Sequence, residues 1–322
     1  MKLFFRLAIC LLAMGLLTGC SSHSKEPITK SDYYFDTIIT ITLYDSKNSN
    51  LLDECFAYCK DFENLISRTI SGSDIDRINA SGGKPVEVSD ITIDLIKKGM
   101  EYGELTNGKF DITIAPLSIL WNVKENPGEI PSEAAISESL SYVNYKNIVI
   151  DGNTVALKDN NARIDLGGIA KGYVADHLKE YLLENGVKSA LINLGGNVLT
   201  IGSKPNGTPF QIGIQKPFDE QNKAITSVSA TNTSVVTSGS YERFFEKNGH
   251  IYHHIIDPST GFPCENDLLS VTILSNDSIT GDALSTSCFL LGLNDGIKLI
   301  ESFENVGAIF ITSDYKVIDT RK

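Results

Sequence analysis

The chain has 322 residues, of which 42% are hydrophobic and 21% are charged. These values are typical of an ordinary globular protein and exclude collagen-like, coiled-coil and intrinsically disordered chains. The formal net charge is −12. Such a chain repels a phosphate backbone instead of releasing its counterions, so we expect no nucleic-acid partner.

The amino terminus has the pattern of an export signal. Lys2 and Arg6 precede an apolar run over residues 7–17, which is too short and wrongly flanked to be a transmembrane helix. The next residues, LTGC, end at Cys20 and resemble the bacterial lipobox, in which the cysteine receives a diacylglycerol. We therefore predict a signal peptide over residues 1–19 and a mature chain at the cell membrane, lipid-anchored through Cys20 on the extracytoplasmic side. The alternative is an ordinary signal peptide with an incidental cysteine.

After the lipid site, the polar residues 20–30 predict a flexible tether. Residues 31–322 contain no obvious linker, so we expect one folded domain there. Cys55 and Cys59 stand four residues apart on one face of a predicted helix. Core packing is favoured over a metal site because the sequence supplies no other soft ligand nearby.

Local patterns predict the first elements of the folded part. Alternating β-branched residues predict a strand over 34–44. Apolar residues that recur every three or four positions predict an amphipathic helix over 50–67. A second helix is predicted over 89–105, with Ser89 as its N-cap and Asn107-Gly108 as its stop.

The same patterns continue to the carboxyl terminus. A hairpin is predicted over 146–157, with its turn at Asp151-Gly152-Asn153. The remaining predicted strands are 189–194, 210–215, 224–229, 234–237, 253–256, 269–274 and 306–312, and the remaining predicted helices are 169–185, 282–291 and 295–303. Helices and strands are interspersed without a regular βαβ alternation, which predicts the α+β class.

Two segments in the first half carry residues that a plain core does not need. Residues 108–117, GKFDITIAPL, place a cation, an aromatic ring and a carboxylate at the predicted start of a strand, although a charged surface strand is the alternative. Residues 165–173, DLGGIAKGY, open a predicted helix with two glycines. Glycine lets a ligand approach the backbone, and the first helical turn offers free N–H groups to a phosphate. The spacing matches neither the Rossmann nor the P-loop pattern, and an ordinary strand-to-helix turn is the alternative.

Two more such segments lie in the second half. In residues 238–263, His253 and His254 are neighbours on a predicted strand and face opposite ways, so only one can line a site. We choose His254 as the candidate general base, with a structural histidine as the alternative. In the segment TGDALST, Asp282 and Thr286 project from one helical face with Ser285 beside them. Such hard oxygen ligands suit Mg²⁺, and a helix-capping carboxylate is the alternative.

Taken together, these segments resemble the ApbE family, the FAD:protein FMN transferases. The segments KFDITIAPL, DLGGIAKGY, LINLGGNV, YHHIIDPSTGFP and DALSTS stand in that family's order over nearly all of residues 31–322. The resemblance implies an α+β fold with an antiparallel sheet core of the tetrahydrobiopterin-synthesis (T-fold) type and surrounding helices. It also implies an Mg²⁺-dependent enzyme that transfers FMN from FAD to a Thr or Ser hydroxyl of a target protein and releases AMP.

The resemblance also implies site residues and partners. The implied FAD contacts are Phe35, Thr69, Lys109, Phe110, Asp111, Asp165, Lys171 and Ile256. The implied metal ligands are the carbonyl of Gly168 and the side chains of Asp282 and Thr286, with Ser285 at a neighbouring metal position. His254 is our candidate for activating the acceptor hydroxyl, and turnover is expected to depend on Asp282. The implied acceptor carries a Ser/Thr flavinylation motif, as in subunits of membrane redox pumps or extracellular flavin reductases.

Two other functions remain open at this point. One is an Mg²⁺-dependent FAD pyrophosphatase, which differs from the transferase only in using water as the acceptor. The other is a non-catalytic lipoprotein that binds and stores flavin. Asp282 and Thr286 argue against storage, because storage needs no metal at the phosphates.

Overall fold

A computed structural model describes residues 26–125, 128–219, 221 and 223–321. The predicted signal peptide, Cys20 and the tether up to residue 25 lie outside these residues. In the described part of the chain, no helix is long and apolar enough to cross a membrane.

Strands and helices alternate irregularly along the chain. In chain order the strands are β1 (Ile28–Tyr34), β2 (Thr37–Leu43), β3 (Val86–Glu87), β4 (Ile148–Asp151), β5 (Thr154–Leu157), β6 (Ala190–Leu194), β7 (Asn197–Ile201), β8 (Phe210–Gln215), β9 (Ala224–Ala230), β10 (Ser234–Gly239), β11 (Phe244–Lys247), β12 (His250–His253), β13 (Leu268–Ser275), β14 (Gly307–Thr312) and β15 (Val317–Asp319). The helices are α1 (Ser49–Ile66), α2 (Asp74–Ala80), α3 (Asp90–Leu105), α4 (Ala115–Trp121), α5 (Glu133–Ser141), α6 (Ala170–Glu184) and α7 (Ser278–Glu301). The first strand thus begins at Ile28, three residues before the expected start of the domain.

An eight-stranded antiparallel sheet forms the centre of the fold, in the order β1-β2-β6-β7-β10-β13-β14-β15. Helices α1, α6 and α7 pack on one face of it. The β8–β9 hairpin covers part of the other face, where Ile214 and Val228 contact Leu274 and Ile309. Because both faces are covered, all six residues of β14 are buried. The predicted α+β class with an antiparallel sheet core is confirmed.

The helices form for local reasons that the sequence already indicates. Helix α1 buries one apolar stripe, and the side chain of Asn48 caps it by accepting a hydrogen bond from the N–H of Asn50. Ser89 caps α3 as predicted, accepting from the N–H of Thr92. Cys55 and Cys59 are unpaired and fully buried in the core, where burial raises the pKa of both thiols to about 12.

Some predicted elements differ from the structure. The strand predicted over 34–44 is β2 and begins only at Thr37, because Phe35 and Asp36 adopt positive φ and form the turn between β1 and β2. The strand predicted at 108–117 is a turn that leads into α4, with Pro116 in its first turn. The strand predicted over 253–256 lies earlier, at β12. The two last predicted helices lie within α7, whose helical geometry is interrupted at Gly292 with φ 75°, between the two predicted ranges, and its first part begins at Ser278 instead of Asp282.

The close approach of α6 and α7 depends on Gly172. A Cβ atom on Gly172 would lie 2.6 Å from Cα of Ile279 and even closer to the carbonyl of Ser278. We expect Gly172→Ala to lower the free energy of unfolding by about 1–3 kcal/mol, since the backbones must separate. Thermal unfolding measures this effect. Gly213→Ala is the control, because its Cβ would meet only Cβ of Ala224 at 3.3 Å. Equal melting temperatures for the two variants would contradict the prediction.

Candidate functional site

A cavity of about 1130 Å³ lies between the helix-covered sheet and the smaller apolar cluster of α4, α5 and the β11–β12 hairpin. All but one of the predicted FAD-binding, metal-binding and catalytic residues line it. They are Phe35, Thr69, Lys109, Phe110, Asp111, Asp165, Gly168, Lys171, His254, Ile256, Asp282 and Thr286. The exception is Ser285, which is fully buried behind the cavity wall. The fold therefore brings together residues from segments that are far apart in the sequence.

Asp282 is a buried carboxylate of this cavity, with 3% of its surface exposed. Its Oδ2 accepts a hydrogen bond from the backbone N–H of Gly172 at 2.9 Å, and its Oδ1 lies 3.5 Å from Nζ of Lys171. An ionised carboxylate has about four lone-pair sites, so Asp282 retains capacity to bind a cation. The α6–α7 contact at Gly172 therefore also positions this carboxylate.

Three hydroxyl groups lie next to Asp282. The Oγ of Ser238, at the end of β10, lies 2.8 Å from Oγ of Ser285 and 3.0 Å from Oγ1 of Thr286. Ser285 also donates to the carbonyl of Asp282 at 2.9 Å. Thr286 thus reaches the cavity, and its hydroxyl is held by Ser238, which in turn bonds Ser285. The role of Ser285 as a metal ligand stays a prediction.

The glycine turn before α6 faces these hydroxyls. The Oδ1 of Asp165 accepts from the N–H of Gly167 at 2.8 Å, which closes the turn. Its Oδ2 binds Nε of Arg68 at 2.9 Å. A Cβ atom on Gly168 would lie 3.1 Å from the Phe110 ring, so only glycine fits beside that ring without displacement. Arg68 was not singled out in the sequence.

Lys109 lines the cavity and forms an ion pair with Asp257. Its Nζ lies 2.8 and 2.9 Å from the two carboxylate oxygens of Asp257, and it donates to Oγ of Ser259 at 2.9 Å. Burial alone would raise the pKa of Asp257, but the hydrogen bonds from Lys109 and Ser259 outweigh it and hold this pKa below its usual value. The pair fixes the Asp257 turn next to His254. Contact between Lys109 and FAD stays a prediction.

Asp111 lies at the cavity edge and orders the turn that precedes α4. Its Oδ1 accepts from the N–H and hydroxyl of Thr113 at 2.7 and 2.6 Å, and its Oδ2 accepts from the N–H of Tyr145 at 2.9 Å. Burial raises the pKa of Asp111 despite these bonds. Its carboxylate is thus engaged with the protein itself.

His254 faces the cavity, whereas its neighbour His253 faces the core. His253 is 5% exposed, and its Nε2 bonds the carbonyl of Cys264 at 2.9 Å. The Nδ1 of His254 lies 3.3 Å from the carbonyl of Arg243. Because a carbonyl can only accept, Nδ1 carries the proton and Nε2 is the free acceptor. Burial, followed by the charge of Arg243, lowers the pKa of His254 to about 3, so the ring is neutral at physiological pH.

The cavity also contains two adjacent charged residues that the sequence analysis did not select, Glu242 and Arg243. The Glu242 side chain lines the cavity, and desolvation by the surrounding protein raises its pKa to about 7. The nearby charge of Lys171 opposes this rise and that of Asp282 adds to it. Both residues lie inside the segment 238–263, but a local pattern does not tell which charges of a loop face a cleft.

Comparisons with known proteins agree with this arrangement. The profile of the ApbE family matches residues 35–310. A FAD:protein FMN transferase of Klebsiella pneumoniae (strain 342) is 37% identical over 283 residues, which cover 87% of each chain. A FAD:protein FMN transferase of Treponema pallidum (strain Nichols) is 30% identical over 335 residues, which cover 98% of this chain and 92% of that protein.

Solved structures lead to the same assignment. The crystal structure of an ApbE protein from Thermotoga maritima has a TM-score of 0.84 and 31% identity, covering 92% of this chain and 97% of that chain. The flavin transferase ApbE from Vibrio cholerae has a TM-score of 0.82 and 25% identity, covering 91% of this chain and 96% of that chain. From the profile, the relatives and the shared fold, we conclude that this chain belongs to the ApbE family.

Proposed function

We propose that this chain transfers FMN from FAD to a hydroxyl group of a protein acceptor and releases AMP. One observation carries the proposal: a single cavity, large for a ligand pocket, collects Asp282, Thr286, Lys171 and His254 in a member of the ApbE family. Curated relatives of this chain are named for the same activity.

Each step of the transfer has a residue suited to it. The acceptor oxygen attacks the phosphorus of the FMN half, the bond from that phosphorus to the bridging oxygen breaks, and AMP leaves. Nε2 of His254 takes the hydroxyl proton, since Nδ1 is held by the carbonyl of Arg243. The ammonium group of Lys171 lies near Asp282 and offers positive charge to the phosphates. A bound pyrophosphate also adds negative charge beside His254, which raises the pKa of the imidazole and strengthens it as a base.

We infer that the metal is Mg²⁺. The residues present fit it: a buried carboxylate of Asp282, the hydroxyl of Thr286 and the backbone of Gly168 all offer hard oxygen atoms. In the described residues, no three His, Cys, Asp or Glu side chains form a metal cage. This suits Mg²⁺, which takes one or two carboxylates together with waters and substrate phosphates. When bound, Mg²⁺ neutralises charge on the pyrophosphate.

The transfer activity can be tested by measuring the mass of the acceptor protein. Residues 21–322 are incubated with FAD, Mg²⁺ and an acceptor that carries a Ser/Thr flavinylation motif, and the acceptor is weighed by intact mass spectrometry. We expect a gain equal to one covalent FMN, which disappears when a chelator is added. Accumulation of FMN and AMP with unmodified acceptors would instead support an FAD pyrophosphatase. FAD that stays bound and whole would support a flavin-storage protein.

We also propose that the mature chain is anchored to the extracytoplasmic side of the cell membrane through a lipid on Cys20. The lipobox-like LTGC and the polar residues that follow support this placement. There the enzyme would meet acceptors such as redox-pump subunits or extracellular flavin reductases. Cys20→Ser is expected to move the protein from the membrane fraction to the soluble or secreted fraction. Unchanged membrane recovery would contradict the anchor.

A further inference from the structure

Five cationic side chains line the cavity, and four of them are paired with carboxylates. The pairs are Arg68–Asp165 at 2.9 Å, Lys109–Asp257 at 2.8 Å, Lys124–Asp36 at 2.9 Å and Lys171–Asp282 at 3.5 Å. The fifth is Arg243. In the described part of the chain, no carboxylate lies within 4 Å of its guanidinium group, whose hydrogen-bond contact is the carbonyl of Asp36 at 3.5 Å. Such a distance is at the limit of a hydrogen bond, so the guanidinium retains its capacity to bind an anion.

The backbone of Arg243 is fixed next to the candidate base. Its carbonyl oxygen accepts from the backbone N–H of His254 at 3.1 Å and lies 3.3 Å from Nδ1 of the same residue. Both bonds lie at the start of the β11–β12 hairpin, where Phe244 pairs with His253. The two hydrogen bonds therefore fix the backbone of Arg243 relative to His254. Both side chains line the same side of the cavity.

From this arrangement we propose that Arg243 is a catalytic residue whose guanidinium group binds the phosphate oxygens of the group being transferred. The inference rests on the proposed function. During transfer, negative charge is spread over the equatorial oxygens of the phosphorus, close to the attacking hydroxyl and therefore to His254. Planar guanidinium groups match two such oxygens at once, whereas an ammonium group contacts them as a point charge.

The other cations of the cavity are less free to take this role. Lys109 and Arg68 would each have to leave an ion pair, and Lys171 lies between Asp282 and the carbonyl of Gly167 at 3.2 Å. Arg243 can meet an incoming phosphate without giving up a carboxylate. Because the contact strengthens as charge develops, its loss should affect the rate of transfer more than the affinity for FAD.

The test compares Arg243→Ala and Arg243→Lys with wild type, using the mature chain, FAD, Mg²⁺ and a flavinylation-motif acceptor. We expect kcat to fall at least about 100-fold in the alanine variant, the effect of removing one donor to a developing negative charge, with only partial recovery in the lysine variant. The dissociation constant for FAD, measured by flavin fluorescence, should change less than about fivefold. Millimolar guanidinium should restore part of the activity of Arg243→Ala. Arg321→Ala, on a surface pair with Asp319, is the control and should keep wild-type activity.

Other outcomes would overturn the inference. One is a kcat of Arg243→Ala close to that of wild type. Another is a change confined to the KM of the acceptor, which would mean that Arg243 binds an acidic group of the acceptor instead. If wild type itself transfers no FMN, the proposed function fails and the inference fails with it. If wild type and Arg243→Ala transfer equally well, only the role of Arg243 fails.

Discussion

Asp282→Asn is expected to lower the rate of FMN transfer by at least about 1,000-fold while leaving the fold intact. The substitution keeps the shape of the side chain but removes its charge, and a bound metal supplies several kcal/mol of charge stabilisation in such reactions, about 1.4 kcal/mol being tenfold in rate. Asp282 is buried and held in place by the N–H of Gly172, with Lys171 beside it. Transfer is measured by mass at saturating FAD and Mg²⁺, and metal affinity by calorimetry.

A matched control exists at the N-cap of the same helix, five residues before Asp282. Asp277 caps α7 by accepting from the N–H of Thr280 at 3.0 Å, and asparagine caps helices as well as aspartate does. Asp277→Asn should therefore retain both transfer and Mg²⁺ binding. Wild-type activity in Asp282→Asn, or activity that survives a chelator, would contradict the metal site.

His254→Gln is expected to lower the rate about 100- to 10,000-fold, the usual contribution of a positioned general base. Glutamine has similar size and polarity but cannot take up the proton of the acceptor. The control is His250→Gln on β12, since His250 is exposed and its Nε2 contacts the carboxylate of Glu265 at 2.7 Å. An unchanged transfer rate and unchanged pH profile in His254→Gln would exclude this residue as the base.

The pH dependence of stability tests the state of His254 separately. Since its pKa is lowered to about 3 in the fold, the unfolded chain binds a proton at this residue between about pH 6.5 and pH 3 that the folded chain does not. Stability of the metal-free protein should therefore fall as the pH falls through this window. The fall in melting temperature between pH 7 and pH 5 should be smaller in His254→Gln. An equal fall in both proteins would mean that folding does not lower the pKa of His254.

Elements defined by neighbouring residues were predictable from the sequence. The helix predicted over 50–67 is α1, because its apolar spacing and the residues near its start act within a few turns. The strand predicted over 210–215 is β8. Alternation along the chain also predicted that His253 and His254 face opposite ways. Which of them faces the cavity was decided by the core contact of His253 with Cys264.

The predictions were wrong where the local structure depends on contacts between residues far apart in the sequence. The sequence offers no turn signal at Phe35-Asp36, yet the N–H of Phe35 donates to Oε1 of Glu63 at 2.6 Å, which helps hold the positive φ of this turn. The segment 108–117 looks like a strand, but Asp111 turns it by bonding Thr113 and Tyr145. These partners lie up to 34 residues away in the chain, beyond the reach of local patterns.

The sequence by itself determined the family, the α+β class and the motifs that supply the predicted site residues, because each of these depends on short segments and on their order along the chain. Only the tertiary structure decided which charged side chains of those segments form ion pairs with each other. Lys109 is paired with Asp257 and Arg68 with Asp165, whereas Arg243 is left open to the cavity. Electrostatic pairing depends on distance in space, and that distance is set by the packing of the sheet, α6 and α7, not by spacing along the chain.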